Sequence, residues 1–115
     1  MSQAANALRD PHIAAAIQLI HAKPSERWTV ARLADEVGYS RSAFAARFRK
    51  AVGESPIAYV ARTRLAAAAS LLERDHMPLA EIARRTGYSS EASLSRAFKR
   101  AFGVAPGGYR ERGSR

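Results

Sequence analysis

Two short stretches of this chain concentrate the side chains with the most specific chemistry. Residues 41–50 carry four cations and no acid, and residues 96–100 carry three more. Lysine occurs only at positions 23, 50 and 99, so arginine supplies most of the net charge of +9. A guanidinium group offers a planar fork of N–H donors that matches a phosphate group or a guanine edge. The pattern indicates an anionic partner; the simpler alternative is a solvated basic surface.

Groups for covalent, hydrolytic or metal chemistry are missing or unpaired. The chain has no cysteine, and its histidines, His12, His21 and His76, do not pair with acids at ligand spacing. It contains no G-x-S-x-G sequence, and the glycines of 103–108 lack the Lys-Ser/Thr of a P-loop. We therefore expect a protein that is not an enzyme and uses no cofactor.

The two basic stretches belong to an internal repeat. Residues 29–60 and 78–110 align with one extra residue in the second copy, after Ser89. Each copy reads as a short helix, a glycine turn and a longer basic helix, which is typical of a DNA-binding helix-turn-helix. The matched positions are Ala31/Ala80, Ala34/Ala83, Gly38/Gly87, Tyr39/Tyr88, Ser40/Ser89, Phe48/Phe98, Ala51/Ala101, Gly53/Gly103, Pro56/Pro106 and Tyr59/Tyr109.

Capping residues and apolar periodicity predict the helices that carry these side chains. Asp10, Thr29, Ser40 and Ser89 are the expected N-caps, and the pattern of a strand occurs nowhere. The sequence therefore predicts an all-α fold of about seven helices. The expected spans are 11–22, 30–37, 41–52, 56–75, 78–86 and 90–102, followed by a short turn from Pro106 in which Tyr109 packs back.

Chain length allows one domain or two small lobes. We expect an N-terminal lobe over 1–55, a linker helix over 56–75 and a C-terminal lobe over 76–115. A linker of that length would measure roughly 30 Å, close to the roughly 34 Å between major-groove faces on one side of a duplex. We therefore expect two basic helices in successive major grooves. No apolar run is long enough to span a membrane, and MSQAANALRDPH does not resemble a secretion signal.

Helical geometry divides each basic helix into an inward and an outward side. The inward residues are predicted to be Phe44, Phe48, Ala51 and Val52 in the first helix, and Leu94, Phe98, Ala101 and Phe102 in the second.

On the outward side, Arg96 is the best candidate for a bidentate guanine contact, although it could also bind a phosphate or remain free. Ala46 in the first helix could contact only an apolar group such as a thymine methyl. We therefore expect the second helix to read DNA more strictly. Ser40 and Ser89 either serve only as N-caps or also contribute to a phosphate-binding site at the N-terminus of each helix.

The second copy, GYSSEASLSRAFKRAFGVAPGGYR, resembles the signature of the AraC/XylS transcription regulators. The resemblance covers about residues 11–110 and implies two helix-turn-helix lobes joined by a long helix on an asymmetric promoter site. It also implies activation through RNA polymerase, in the cytoplasm at the bacterial nucleoid. Members of this family often carry a further ligand-sensing or dimerisation domain, so we expect either a stand-alone activator or, by preference, a fragment of a longer regulator.

By the same resemblance, the base-facing positions fall at Ser42, Ala45 and Ala46 in the first lobe and at Glu91, Ala92 and Arg96 in the second. Glu91 could accept a hydrogen bond from cytosine or only support the helix N-terminus. Two rival functions stay open: a helical protein-interaction module of the same fold, and an RNA binder, which the lack of aromatic platforms disfavours. The complete set of candidate DNA contacts is Ser40, Arg41, Ser42, Ala45, Ala46, Arg49, Lys50, Ser89, Ser90, Glu91, Ala92, Arg96, Lys99 and Arg100.

Overall fold

The computed structural model describes residues 9–74 and 76–113, and all the regular secondary structure in this part of the chain is helical. None of its helices combines the length and the apolar character needed to cross a membrane. The prediction of an all-α fold is confirmed. The helices are α1 (Pro11–Ala22), α2 (Val30–Val37), α3 (Arg41–Val52), α4 (Pro56–Arg74), α5 (Leu79–Thr86), α6 (Glu91–Phe102) and α7 (Pro106–Gly113).

The chain divides into two compact units, of which the first ends at Ala61 and the second begins at Arg62, inside α4. Each unit has its own hydrophobic core, built around the apolar side of one basic helix. The core of the first unit includes the fully buried side chains of Ile13, Ile20, Leu33, Phe44 and Phe48. The core of the second unit includes those of Ala68, Ile82, Leu94 and Phe98.

Helix starts in the first unit follow the predicted caps. The Asp10 carboxylate accepts hydrogen bonds from the backbone N–H groups of His12 and Ile13, at 3.0 and 3.3 Å. Thr29 caps α2 and Ser40 caps α3 in the same way, and each hydroxyl oxygen accepts a hydrogen bond from the backbone N–H three residues later in the chain. These bonds satisfy backbone donors that have no partner within the helix. The caps therefore set the first residue of each helix from local sequence alone.

The start of α6 differs from the prediction. Ser90 is the N-cap, and its hydroxyl accepts from the backbone N–H of Ser93 at 3.0 Å. The prediction of Ser89 as the cap was wrong because the extra residue of the second copy lies in the turn, which is one residue longer before α6 than before α3. At the other helix ends, Pro78 precedes α5 instead of opening it, and α4 is described only as far as Arg74. The predicted end of that helix at Asp75 lies outside the described residues.

A glycine with a left-handed backbone conformation lies between α2 and α3 and another lies between α5 and α6. Gly38 has a φ of 81° and Gly87 a φ of 90°, in the region where a side chain strains the backbone. A Cβ at Gly38 would meet no atom within 4 Å, so the requirement there is conformational and not steric. The turn chemistry predicted from the repeat is therefore present in both units.

The inward side of α6 also departs from the prediction at its last turn. Ala101 is exposed and Phe102 retains 41% of its accessible surface, whereas their counterparts Ala51 and Val52 are buried. Phe102 packs against Phe98 and Tyr109, with ring centroids 4.4 and 5.7 Å away, and keeps part of its ring in solvent. The end of α3 instead lies within the core cluster that α1 helps to form.

Candidate nucleic-acid interface

Helix α3 presents one side to solvent and the other to the core of the first unit. Phe44 and Phe48 are fully buried and hold the helix against α1 and α2. The exposed candidates on this helix and its cap are Ser40, Arg41, Ser42, Ala46, Arg49 and Lys50. Small side chains thus occupy the outward side near the middle of the helix, and cations lie at its C-terminal end.

Helix α6 has a similar layout in the second unit, except that Arg96 lies at its middle, where α3 has Ala46. Leu94 and Phe98 are fully buried, and the exposed candidates are Ser89, Ser90, Glu91, Ala92, Arg96, Lys99 and Arg100. The last-turn cations of both helices lie at the end where backbone carbonyls concentrate negative charge, a position that favours them. A surface of this kind can bind a polyanion through the cations while small residues allow close approach.

Ala45 is the one candidate contact residue that is not exposed. It is partly buried and lines a shallow groove beside the start of α2, together with Arg41, Ser42 and residues 29–31. In α6, Ser93 is partly buried as well, and the hydroxyls of Ser89 and Ser90 lie 3.3 and 3.1 Å from its own. The structure therefore brings most candidates to one exposed side of each basic helix, with Ala45 at its edge.

A polar network at the start of α1 supports the turn before α3. The Tyr39 hydroxyl donates to the Asp10 carboxylate at 2.9 Å, and His12 donates from Nδ1 to the Val37 carbonyl at 2.6 Å. The guanidinium of Arg47 lies 5.3 Å from the centre of the Tyr39 ring. Because Asp10 and Tyr39 are far apart in sequence, this contact ties α1 directly to the helix-turn-helix. Sequence reasoning identified Asp10 only as a cap, and nothing in the residue pattern indicated its bond to Tyr39.

The hydrogen bonds change the acidity of Asp10. Burial would raise the pKa of this carboxyl, but the bonds from Tyr39, Ile13 and His12 outweigh burial, and the pKa lies below its usual value of 3.8. Burial and the same bond to Asp10 raise the pKa of Tyr39. The ionised form of Asp10 is therefore the one that stabilises this corner of the first unit.

Asp10→Ala should lower the free energy of unfolding by about 0.5–2 kcal/mol at neutral pH, the usual effect of losing an N-cap. The contribution of the carboxylate is complete above the unfolded-state pKa near 3.8 and is lost as the pH falls through the lower folded-state pKa. Urea unfolding at neutral pH and at several acidic values should therefore show the two proteins converging in stability. Asp10→Asn is the matched control, since it keeps a cap, and its loss should be smaller. A difference that stayed constant at acidic pH would contradict the role of the charge.

Contacts in the second unit hold α7 against α6. Tyr109 packs edge-on against Phe98, with ring centroids 5.2 Å apart, and donates from its hydroxyl to Glu73 at 2.6 Å. Arg110 donates to the Met77 carbonyl at 2.7 Å. The prediction that Tyr109 packs back onto the unit is confirmed. The hydrogen bond to Glu73 and burial raise the pKa of Tyr109.

An exposed ion cluster on α5 was not anticipated from the sequence. Glu81 accepts from the Nε atoms of Arg84 and Arg85, each at 3.0 Å. These hydrogen bonds, that of Arg84 foremost, lower the pKa of Glu81 to about 2. The three residues lie three and four positions apart on one helix, a spacing that could have indicated the cluster.

Comparison with known proteins agrees with this geometry. A family model described as a helix-turn-helix domain matches residues 33–112. Over 104 residues the chain is 47% identical to an AraC-like transcription regulator of Streptomyces lividans, an alignment that covers 90% of this chain and 34% of that protein. The chain belongs to the AraC-type helix-turn-helix family. The expected resemblance is confirmed, and the chain corresponds to the DNA-binding helix-turn-helix domain of this family.

Further AraC-type proteins match in sequence and in fold. The transcriptional activator RclR of Escherichia coli is 42% identical over 105 residues, which cover 91% of this chain and 37% of RclR. The C-terminal domain of AraT, a response regulator from Geobacillus stearothermophilus, superposes with a TM-score of 0.84 at 31% identity, covering 90% of this chain and 86% of that one. The DNA-binding domain of AdpA, solved with a target DNA, has a TM-score of 0.76 at 31% identity, over 89% and 88% of the two chains. This AraC-type chain spans about a third of the length of the curated relatives it matches.

Proposed function

We propose that this AraC-type chain recognises a specific double-stranded promoter sequence by inserting α3 and α6 into two successive major grooves. One observation carries the proposal: each unit exposes a basic helix with two cations in its last turn and small residues nearer its start, Ser42 and Ala46 in α3 and the cap Ser90 with Ala92 in α6. The N-terminal part of a recognition helix lies deepest in the groove, where small residues permit close approach. Cations farther along the helix reach the phosphates, which supply most of the affinity.

The candidate contacts divide into positioning and reading roles. The cations of the last turns, Arg49, Lys50, Lys99 and Arg100, bind phosphates under this proposal. Arg96 reads a guanine in the second half of the site, and Ala46 packs against a thymine methyl in the first half. The remaining candidates line the approach to the groove: Ser40, Arg41, Ser42, Ala45, Ser89, Ser90, Glu91 and Ala92.

Arg96→Ala should weaken binding by about 1–3 kcal/mol and relax the preference at one base pair. Arg96 is exposed at the middle of α6, and its donors could pair with two acceptors of guanine. Competition binding against duplexes with single base changes measures both effects. Lys99→Ala is the matched control on the same helix and should weaken binding to all duplexes by a similar factor. If Arg96→Ala behaved in that uniform way too, Arg96 would be a phosphate contact.

Selection from random duplexes followed by footprinting tests the proposal as a whole. We expect two protected segments about 10 base pairs apart, with the segment under the second unit more strictly conserved among the selected sequences. The two lobes, 1–55 and 76–115, would each cover one segment, joined by the linker helix of 56–75. A single protected segment would contradict the two-groove arrangement, and failure to enrich any sequence would contradict specific recognition.

We extend the same proposal to the role of the chain in transcription, using the names and lengths of its relatives. RclR is named an activator, and we propose that this chain serves activation through RNA polymerase in the cytoplasm, at the nucleoid. A ligand-sensing or dimerisation domain would complete the regulator, since the relatives are about three times as long as this chain. Transcription in vitro from a selected promoter, with and without the chain, tests the activating role. An unchanged or reduced transcript level would contradict it.

A further inference from the structure

A cleft in the first unit lies between the residues that precede α1 and the C-terminal half of α3. Its volume is about 280 Å³, near the lower end of the range for small-molecule sites, roughly 300 Å³. The residues that line it are Arg9, Asp10, Arg47, Lys50 and Ala51. Ala51 belongs to the core of the unit, whereas the three cations are exposed. The cleft therefore combines a concave shape with a concentration of positive charge.

The carboxylate in the cleft does not neutralise the cations around it. Asp10 accepts hydrogen bonds from the Tyr39 hydroxyl and from two backbone N–H groups at the start of α1, so most of its acceptor capacity is already used. In the part of the chain that the structure describes, neither Arg47 nor Lys50 forms an ion pair with an acid. Three cations and one carboxylate give the lining a net charge of +2. A cleft lined mainly by one sign of charge attracts ions of the opposite sign.

A phosphate group is the anion that these side chains match best. A phosphate monoester carries about 1.5 to 2 negative charges at neutral pH and offers three strong acceptor oxygens. A guanidinium group can donate to two of these oxygens at once, and an ammonium group adds a compact charge with three donors. Tyr39 helps to hold the Arg47 guanidinium in place, because its ring centre lies 5.3 Å away. The cleft therefore offers donors of the kind that phosphate recognition requires.

Arg47 does not belong to the basic layout that the two units share. Helices α3 and α6 both have 12 residues between a serine N-cap and a glycine C-cap, so their positions correspond with an offset of fifty. In this register Lys50 matches Arg100, but Arg47 matches Ala97. Arg47 also lies about 60° around α3 from Lys50, because residues three apart differ by that angle. A cation that only the first unit has, and that lines the cleft, indicates a role other than the DNA contacts common to both helices.

We propose that this cleft binds a small phosphate-bearing ligand through Arg9, Arg47 and Lys50, and that the bound ligand excludes DNA from the first unit. Lys50 connects the two events, since it lines the cleft and also belongs to the exposed last turn of α3. A ligand that accepts from Lys50 occupies a donor for the DNA backbone and places negative charge beside the DNA. The binding site is independent of the proposed function, whereas the exclusion of DNA rests on it.

An NMR titration of the full chain with inorganic phosphate tests the site, with sodium chloride at equal ionic strength as the reference. The backbone signals of Arg9, Arg47 and Lys50 should shift together and reach saturation. Arg47→Gln and Arg9→Gln should each weaken the affinity for phosphate by about tenfold, the effect of losing one hydrogen bond between charged groups. Arg49→Gln is the matched control: it removes an exposed cation next to Lys50 that does not line the cleft, and it should leave phosphate binding unchanged.

Competition with the selected duplex tests the exclusion of DNA. Inorganic phosphate at ten times its dissociation constant should weaken DNA binding by about tenfold relative to chloride at the same ionic strength, because only the phosphate-free chain binds DNA. Arg47→Gln should remove this difference between phosphate and chloride. The coupling is reciprocal, so saturating DNA should weaken phosphate binding by the same factor.

Three results would overturn the proposal. Shifts that do not saturate, or that persist unchanged in both cleft variants, would indicate an adventitious ion only. Weaker DNA binding by both variants without saturable phosphate binding would assign the cleft to the DNA backbone. Saturable phosphate binding that leaves DNA affinity unchanged would contradict the exclusion of DNA.

The two proposals fail in different measurements. If the chain selects no duplex, the proposed function fails, while the titration still decides the phosphate site. Melting curves confirm that the variants fold. Arg47→Gln also loses the contact with Tyr39, so Arg9→Gln, which lies before α1, decides the matter if that variant does not fold.

Discussion

Raising the salt concentration from 50 to 200 mM should weaken binding of the chain to its selected duplex by about 10³- to 10⁵-fold. This range follows if about six to ten phosphates are neutralised by arginine and lysine, because each contact releases condensed counterions from the DNA. The last turns of α3 and α6 supply four exposed cations, Arg49, Lys50, Lys99 and Arg100. The other exposed arginines of the chain can provide the remaining contacts.

Binding isotherms at several salt concentrations measure this effect as the slope of log affinity against log salt. Lys50→Gln should reduce the slope by about one unit, since it removes one phosphate contact. Lys23→Gln is a matched control: Lys23 is exposed after α1, outside both basic helices, and its removal should leave the slope nearly unchanged. A salt response close to zero would contradict DNA binding through the cations and would favour a protein-interaction module of the same fold.

Phe98→Ala should lower the free energy of unfolding by about 3–5 kcal/mol. Phe98 is fully buried in the core of the second unit, where its ring contacts those of Phe102 and Tyr109. Removing the ring takes away buried apolar surface and leaves a cavity that rigid neighbours fill only in part. Since domains of this size are stable by only about 5–15 kcal/mol, the variant should be close to unfolding at physiological temperature.

Chemical denaturation monitored by circular dichroism measures this loss, and Phe102→Ala provides the control. Phe102 is the same residue type on the same helix but keeps 41% of its surface in solvent, so its replacement should destabilise the chain clearly less. Binding measured at low temperature, where folded protein remains, separates the effect on stability from an effect on the interface. Equal losses for the two substitutions would contradict the assignment of Phe98 to the inward side of α6.

Most of the helix bounds could be predicted because short-range chemistry sets them. Asp10, Thr29 and Ser40 accept hydrogen bonds from backbone groups two or three residues away. Gly38 and Gly87 provide backbone conformations that other residues enter only with strain. The prediction of Ser89 as a cap failed for an equally local reason: two adjacent serines offer the same hydroxyl, and only the length of the turn decides between them.

The candidate interface could be predicted only in part. Sequence periodicity indicates on which side of a helix a residue lies, but it does not indicate which residues of other helices contact that side. The outward position of Arg96 follows from its spacing to Phe98 and Leu94, and the structure exposes it. The partial burial of Ala45 depends on residues 29–31, which another helix brings to its side. The exposure of Phe102 likewise depends on which elements cover the last turn of α6.

The residue order alone was therefore sufficient for the repeat, three of the four predicted caps, the glycine turns and the buried phenylalanines, all of which depend on spacings of a few residues. The pairing of Asp10 with Tyr39 and of Glu73 with Tyr109 joins side chains that are 29 and 36 positions apart. Such contacts exist only after helices have packed, since packing brings together groups that no periodicity relates. The lowered pKa of Asp10 and the different burial of the last turns of α3 and α6 likewise depend on the packing of helices against one another.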